Sequence, residues 1–232
     1  MAKSLSKMAV AVLSVMILIG LLSDVAVSEN ENLEYYFHRN DKNRIALTFD
    51  DGPHPFDTIK ILNILDKYNV KATFFVIGQN AVNYRDALKE IVKRGHEIGN
   101  HTYTHTVIKS MSTSDIINEV ESCREVIYDI SGENTVLFRP PEGLMAQVNS
   151  EDAELFEGYE VILWSVDTMD WSHNSPKEIA RYVSNKTKSG DIILMHDYIG
   201  YNSPTPEALE LLLPDMINKG FEFVTISELL AS

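Results

Sequence analysis

One cysteine in 232 residues leaves no partner for an intrachain disulfide, so packing alone must hold this chain together. Cys123 is in step with Ile116, Val120, Ile127 and Ile130 at alternating spacings of four and three, which marks a small apolar residue on a helix face rather than a thiol nucleophile. Cations are also scarce. Lys and Arg number 20 against 34 Asp and Glu, a formal charge of −14. Such a surface repels polyanions, which excludes nucleic acid as a partner and favours a neutral or cationic substrate. There is no low-complexity tract, no internal repeat and no glycine fingerprint after the first apolar strand, which weakens a dinucleotide-binding reading.

Long apolar runs are missing too, with one exception. Met8 to Leu22 is uninterrupted over about 15 residues, short for a membrane span. Lys3 and Lys7 precede it, and "AVS" (Ala26 to Ser28) puts small residues at −3 and −1 of a cut before Glu29. Residues 1–28 are expected to be a signal peptide or an uncleaved N-terminal anchor. Either one sends the domain outside the cytoplasmic membrane, secreted or in the cell envelope, with membrane contact only through this segment if it stays. Removing Lys3, Lys7 and Asp24 with the leader takes the charge from −14 to −15. A polar lead-in, 29–43, then precedes one domain, 44–232, expected to act as a monomer.

In that domain strand-like and helix-like segments alternate. "RIALTF", "ATFFVIG", "HEIGN", "VLFRP", "VILWSV", "DIILMH" and "FEFVTI" read as strands. Between them lie helical patterns over 58–68, 85–94, the Cys123 segment, a stretch near 150–156, one opened by Ser175 and Pro176, and 206–219, with a short one at the end. The alternation implies parallel βαβ units and an α/β fold. Seven to eight units in about 200 residues point to a (β/α) barrel, with a doubly wound open sheet as the alternative.

Polar residues gather directly after the strands. Asp50 and Asp51 follow the first, His101 and His105 the third, and Arg139 ends the fourth. Asp167, Asp170 and Trp171 follow the fifth, and His196 and Asp197 the sixth. Parallel α/β folds place their active sites at these strand ends. "HTYTH" sets two histidines four residues apart, able to share a metal if the segment is helical or turn-like. Thr102 stands where a zincin has glutamate, so that protease class is disfavoured. The aspartate pair can supply a third ligand while its other member remains a base, and two histidines plus one carboxylate match a hydrolytic zinc site. His38, His54, His96 and His173 lack ligand spacing to the cluster and read as structural. Asp197 either orients His196 or caps its loop.

"TFDDGP" (Thr48 to Pro53), "HTYTH", "RPP" (Arg139 to Pro141), "DTMDW" (Asp167 to Trp171) and "LMH" (Leu194 to His196) occur in that order. Together they resemble the five motifs of the polysaccharide deacetylases, carbohydrate esterases with a NodB homology domain, and the likeness spans about Arg44 to Leu230. The resemblance implies a distorted (β/α)7 barrel, one divalent metal ion, most often zinc, and hydrolysis of N-acetyl groups on an amino-sugar polymer such as peptidoglycan or a chitin-like glycan. On it, Asp51, His101 and His105 match the metal ligands and Asp50 the general base. Arg139 matches the partner of that base, His196 the catalytic acid and Asp170 the carboxylate that tunes the acid. Trp171 and Leu194 match the walls of the acetyl pocket.

These roles are chemically coherent. Amide hydrolysis needs a nucleophile stronger than water, a base for its proton and an acid for the departing amine. The chain departs from the pattern at one place: Glu142 replaces the aromatic that usually follows "RPP". The family gives the oxyanion role to the backbone N–H there, so the departure concerns the substrate-binding wall, expected to be formed by Pro141 and Glu142 with Trp171 and Leu194, rather than turnover. Two other functions remain open on sequence: an O-acetyl esterase acting on xylan-like polysaccharide, and a non-catalytic carbohydrate-binding relative.

Overall fold

The computed structural model describes residues 42–108, 111–143, 156, 158–172, 174–200 and 202–231. The leader, all of the lead-in but its last two residues, most of the helix expected near 150–156, His38 and His173 lie outside them. Among the described residues eight strands form one parallel sheet: β1 (Arg44–Asp50), β2 (Thr73–Val76), β3 (Glu97–Asn100), β4 (Leu137–Phe138), β5 (Glu160–Val161), β6 (Val166–Asp167), β7 (Ile192–His196) and β8 (Glu222–Val224). Seven helices are described: α1 (Asp57–Tyr68), α2 (Gly78–Asn83), α3 (Arg85–Lys93), α4 (Thr113–Ser131), α5 (Pro176–Lys186), α6 (Thr205–Asn218) and α7 (Ile226–Leu230). None of the described helices is long and apolar enough to cross a membrane.

The strand order is β5-β4-β3-β2-β1-β7-β6, with β8 paired to the start of β1. The ends of that row, β5 and β6, are consecutive in the chain and separated only by residues 162–165. The sheet therefore curls into the distorted barrel, and a single chain segment joins its two edges. That segment is the expected fifth strand, "VILWSV". It does not run as one strand, because its first residues pair with β4 and its last with β7.

Why β1 is apolar follows from its central place, covered on both faces. Ile45, Leu47 and Phe49 pack outward, in one cluster with Leu62 and Leu65 of α1 and Leu209 and Leu212 of α6. Each such buried side chain contributes about 1.5–3 kcal/mol. Ala46, Thr48 and Asp50 take the opposite face, since side chains alternate along a strand. Ala46 joins Phe75, Ile162 and Ile192 inside the barrel. The β1–β7 register then sets Thr48 beside Leu194 and Asp50 beside His196. A one-residue slip would send both polar groups into the helix layer.

The helix signals hold at α5, where Ser175 and Glu178 form a reciprocal capping box with Pro176 at the first position. α2 was not anticipated. Its segment, "GQNAVN", is short and mostly polar, so no apolar periodicity announces it. Cys123 is fully buried on α4, its Sγ 3.4 Å from the Val76 carbonyl, and burial pushes its thiol up to about 12.

Candidate active site

Arg139, just past β4, is fully buried, and its guanidinium is spent on four bonds. Nε donates to the Ile162 carbonyl and Nη2 to that of Leu163, each at 3.0 Å. These carbonyls lie between β5 and β6, where the expected fifth strand is interrupted, so the guanidinium replaces missing ladder partners. Nη1 donates to Thr48 Oγ1 at 2.8 Å and to Asp50 Oδ1 at 2.7 Å. The cation also lies 4.0 Å from the centre of the Phe75 ring. A buried guanidinium costs several kcal/mol unless paired in this way. One residue thus closes the barrel and fixes Asp50.

Asp51 points elsewhere. It lies past the end of β1 with φ +75°, so the strand's alternation no longer governs it. Its Oδ1 is 3.4 Å from His101 Nε2 and 3.1 Å from His105 Nε2. That oxygen is buried yet has no hydrogen-bond partner among the described residues, and one ligand atom from each of the three side chains falls within 4.8 Å of the others. His101 Nδ1 is 2.6 Å from the Arg139 carbonyl. A carbonyl only accepts, so Nδ1 carries a proton, and in the neutral ring the lone pair is on Nε2. An orphaned carboxylate oxygen facing an imidazole lone pair fits a divalent cation. Burial disfavours the Asp51 carboxylate, but the adjacent imidazoles outweigh it and hold the group well below the usual range. Asp51 in turn raises His105.

The "HTYTH" segment is a turn-like loop, not a helix. Gly78 and Gln79 at the start of α2 donate to the Thr102 and Tyr103 carbonyls, while Glu119 of α4 accepts from the Tyr103 and Thr104 amides. Thr102 and His105 both have positive φ, at +67° and +62°. Such conformations persist in non-glycine residues where the surroundings impose them. Here the anchors are α2 and Glu119.

His196 and Asp170 form the opposite side. Asp170, fully buried in the turn Asp170–Ser172, meets His196 Nδ1 at 2.7 Å through Oδ1. Its Oδ2 accepts from the His196 amide at 2.8 Å and from Thr205 Oγ1 at 2.7 Å. Burial works against the imidazolium. Asp170, with Asp50 and Asp51 behind it, outweighs burial and raises His196 to about 9.

A cleft of about 430 Å³ brings Asp50, Asp51, His101 and His105 together with His196, and Leu194, Trp171 and Glu142 line it as well. Leu194 is buried and Trp171 is 51% exposed. Pro141 is buried and does not line the cleft. Glu142 has φ +58°, inside the turn Pro141–Gly143. Trp164 and Asp167 complete the wall. Trp164 was not foreseen as a site residue because it falls inside a run that reads as an ordinary buried strand. Thr48 and Thr205 were missed as well; strand alternation back from Asp50 would have pointed to Thr48.

Asp197 does not contact the His196 ring; its Oδ2 accepts from Thr58 Oγ1 at 2.5 Å, and its N–H donates to the Asp50 carbonyl. Burial, then the nearby Asp51 and Asp50 charges, push its carboxyl up to about 7. It also explains the glycine after the aspartate pair. A Cβ on Gly52 would stand 2.0 Å from Asp197 Oδ2. His54 and His96 stay outside the cluster, and His96 Nδ1 accepts from the Ala72 amide.

Residues 38–162 match the family model described as Polysaccharide deacetylase. The chain is 37% identical over 193 residues to a peptidoglycan-N-acetylglucosamine deacetylase of Bacillus cereus, a match covering 82% of this chain and 90% of that protein. It spans 38% of some longer relatives. Among solved structures it resembles a peptidoglycan N-acetylglucosamine deacetylase in complex with a hydroxamate-type benzamide (TM-score 0.79, 33% identity, 84% of this chain and 92% of that one). It also resembles a family 4 acetyl xylan esterase of Clostridium thermocellum in complex with a cobalt ion (TM-score 0.74, 37% identity, 81% and 90%).

Proposed function

This chain belongs to the polysaccharide deacetylase family, and on that premise we propose that it removes N-acetyl groups from an amino-sugar glycan, peptidoglycan being favoured, in a metal-dependent hydrolysis outside the cytoplasmic membrane. The observation that carries the reading is the divergence of two adjacent aspartates. Asp50 is bonded to Arg139, while the neighbouring Asp51 offers an unpaired oxygen to two imidazoles.

Asp51, His101 and His105 would hold the ion. When bound, a divalent cation, zinc by preference for this donor set, supplies Lewis acidity and lowers the pKa of coordinated water toward about 7. The chain's own groups do the rest. Asp50 Oδ1 is occupied by Arg139, which leaves Oδ2, 3.7 Å from His101 Nε2, free to accept a proton in the cleft. Arg139 holds Asp50 in place and orients it. His196 arrives protonated because Asp170 faces its Nδ1, so Nε2 can donate to the departing amine. Leu194 and Trp171 offer an apolar wall for an acetyl methyl, and the Glu142 N–H is the donor available to the oxyanion.

Acetate release from N-acetylglucosamine oligomers by metal-replete protein tests the reading, with acetylxylan assayed in parallel. Asp50→Asn should retain metal and lose at least about 10²-fold in turnover. Release from acetylxylan alone would make the enzyme an O-acetyl esterase. Asp50→Asn with unchanged turnover would remove Asp50 as the base.

A further inference from the structure

We infer that a shelf of exposed rings beside the cleft is a second sugar-binding subsite, which stacks a pyranose unit of the same glycan one or more residues away from the acetyl group attacked. The inference rests on the deacetylase reading for its ligand class, and on separate residues for its geometry.

The shelf is built on His54. Its ring stacks on Tyr198 with centroids 4.7 Å apart and planes 22° apart. Phe56 and Tyr84 meet it edge-on, each at 5.8 Å. These rings come from the segments that follow β1, β7 and β2, three neighbouring strands, so they stand on the same end of the barrel as the catalytic groups. His54 is three residues past Asp51 and Tyr198 two past His196, so their Cα atoms lie within about 11 and 8 Å of those of the catalytic residues.

Exposure distinguishes the shelf from core. Phe56 is 69% exposed, Tyr84 36% and Tyr198 37%. Single exposed aromatics need no explanation, but a contiguous group beside a catalytic cleft marks a binding surface. His54 also holds the shelf rigid. Its N–H donates to Thr58 Oγ1 at 2.7 Å, and its Nδ1 accepts from the Asp57 N–H at 3.3 Å. Rings fixed before binding lose little entropy on meeting a ligand. Tyr84 also lines a groove of about 460 Å³, together with Pro55, Val82, Arg85 and Asp86. Apolar faces with a few polar groups beside them suit a sugar ring, whose C–H face is apolar and whose edge carries hydroxyls. The acidic charge of the chain as a whole disfavours a polyanionic ligand.

The test compares Phe56→Ala, Tyr84→Ala, Phe56→Tyr and the control Tyr128→Ala, an exposed aromatic on α4 away from the shelf. Each is assayed for KM and kcat on N-acetylglucosamine hexamers and dimers, and for hexamer binding by calorimetry in an Asp50→Asn background. Phe56→Ala and Tyr84→Ala should each raise the hexamer KM and Kd about five- to tenfold, with the dimer KM changing less than about twofold. Phe56→Tyr should restore both values, and Tyr128→Ala should leave them at the wild-type level. Hexamer and dimer constants that move together, or not at all, overturn the subsite while leaving the deacetylase reading intact. A wild type that binds hexamer through Phe56 and releases no acetate would keep the subsite and overturn the deacetylase reading.

Discussion

His101 and His196 face one cleft, and each is held through Nδ1, yet the structure prepares them for opposite chemistry. His101 Nδ1 meets a neutral carbonyl, that of Arg139, at 2.6 Å. His196 Nδ1 meets a carboxylate, that of Asp170, at 2.7 Å. A carbonyl fixes the tautomer without adding charge, so the far nitrogen keeps a lone pair suited to a metal. A carboxylate fixes the ring and stabilises the cation, so the far nitrogen carries a proton to give away. The chemistry open to each imidazole is thus set on its hidden side. The same division separates Asp50, bound to a guanidinium, from Asp51, whose Oδ1 is left without a partner.

Removing the rings should break this comparison most severely. His101→Ala should lose metal and activity together, because two remaining ligands hold zinc poorly. His196→Ala should keep the metal and lose about 10²- to 10⁴-fold in kcat, since it removes an acid and not a ligand. Metal content by atomic spectroscopy beside kcat separates the two. Equal metal loss in both variants would mean that the rings share one role.

Asp170→Asn sharpens the comparison by making the His196 partner neutral, as the His101 partner already is. His196 should then fall from about 9 toward its ordinary value of 6.5, and the alkaline limb of the rate profile should move to lower pH with it. Stability follows the same linkage. The folded pKa lies above the unfolded one, so the stabilisation is fully present below pH 6.5 and lost as pH rises through about 9. In metal-free protein that linkage is worth on the order of 3 kcal/mol at most. Urea unfolding at pH 6 and at pH 9.5 should show the gap between wild type and Asp170→Asn narrowing at the higher pH. A gap that stays constant would assign the loss to packing around Thr205 instead of charge.

How much of this was legible in the sequence depends on what kind of signal each feature leaves. Polar residues after apolar strands announced the rim, and the five motifs named its members, because chemistry needs particular side chains at particular strand ends. The breaking of "VILWSV" left no trace, since a strand that pairs with different neighbours at its two ends has the composition of any buried strand. Trp164 went unforeseen for that reason. α2 was hidden by its polarity, and the double use of Arg139 became visible only when the Ile162 and Leu163 carbonyls came into place. What sequence withholds is pairing between distant segments, and the barrel's closure consists of such pairing.

Glu142 gives the smallest expected effect and tests whether the cleft wall is separate from its catalytic floor. With φ +58° the residue already carries the strain of a left-handed conformation, about 1 kcal/mol for any side chain with a Cβ. Proline at this position would remove the N–H but also demand φ near −65°, so it would distort the turn and could not isolate the donor. Glu142→Tyr and Glu142→Gln keep both the N–H and the strain. Glu142→Tyr should change stability by no more than about 0.5 kcal/mol and leave kcat within about threefold. Its KM for fully acetylated oligomers should fall about two- to fivefold, as a ring face replaces a carboxylate beside a neutral sugar. Glu142→Gln removes the charge alone, so it should reduce any preference for partly deacetylated, cationic oligomers without that gain. Steady-state kinetics on fully and partly acetylated oligomers resolve the three proteins. A kcat loss in Glu142→Tyr as deep as that of His196→Ala would make this side chain part of the reaction, and the wall and the floor would be one site.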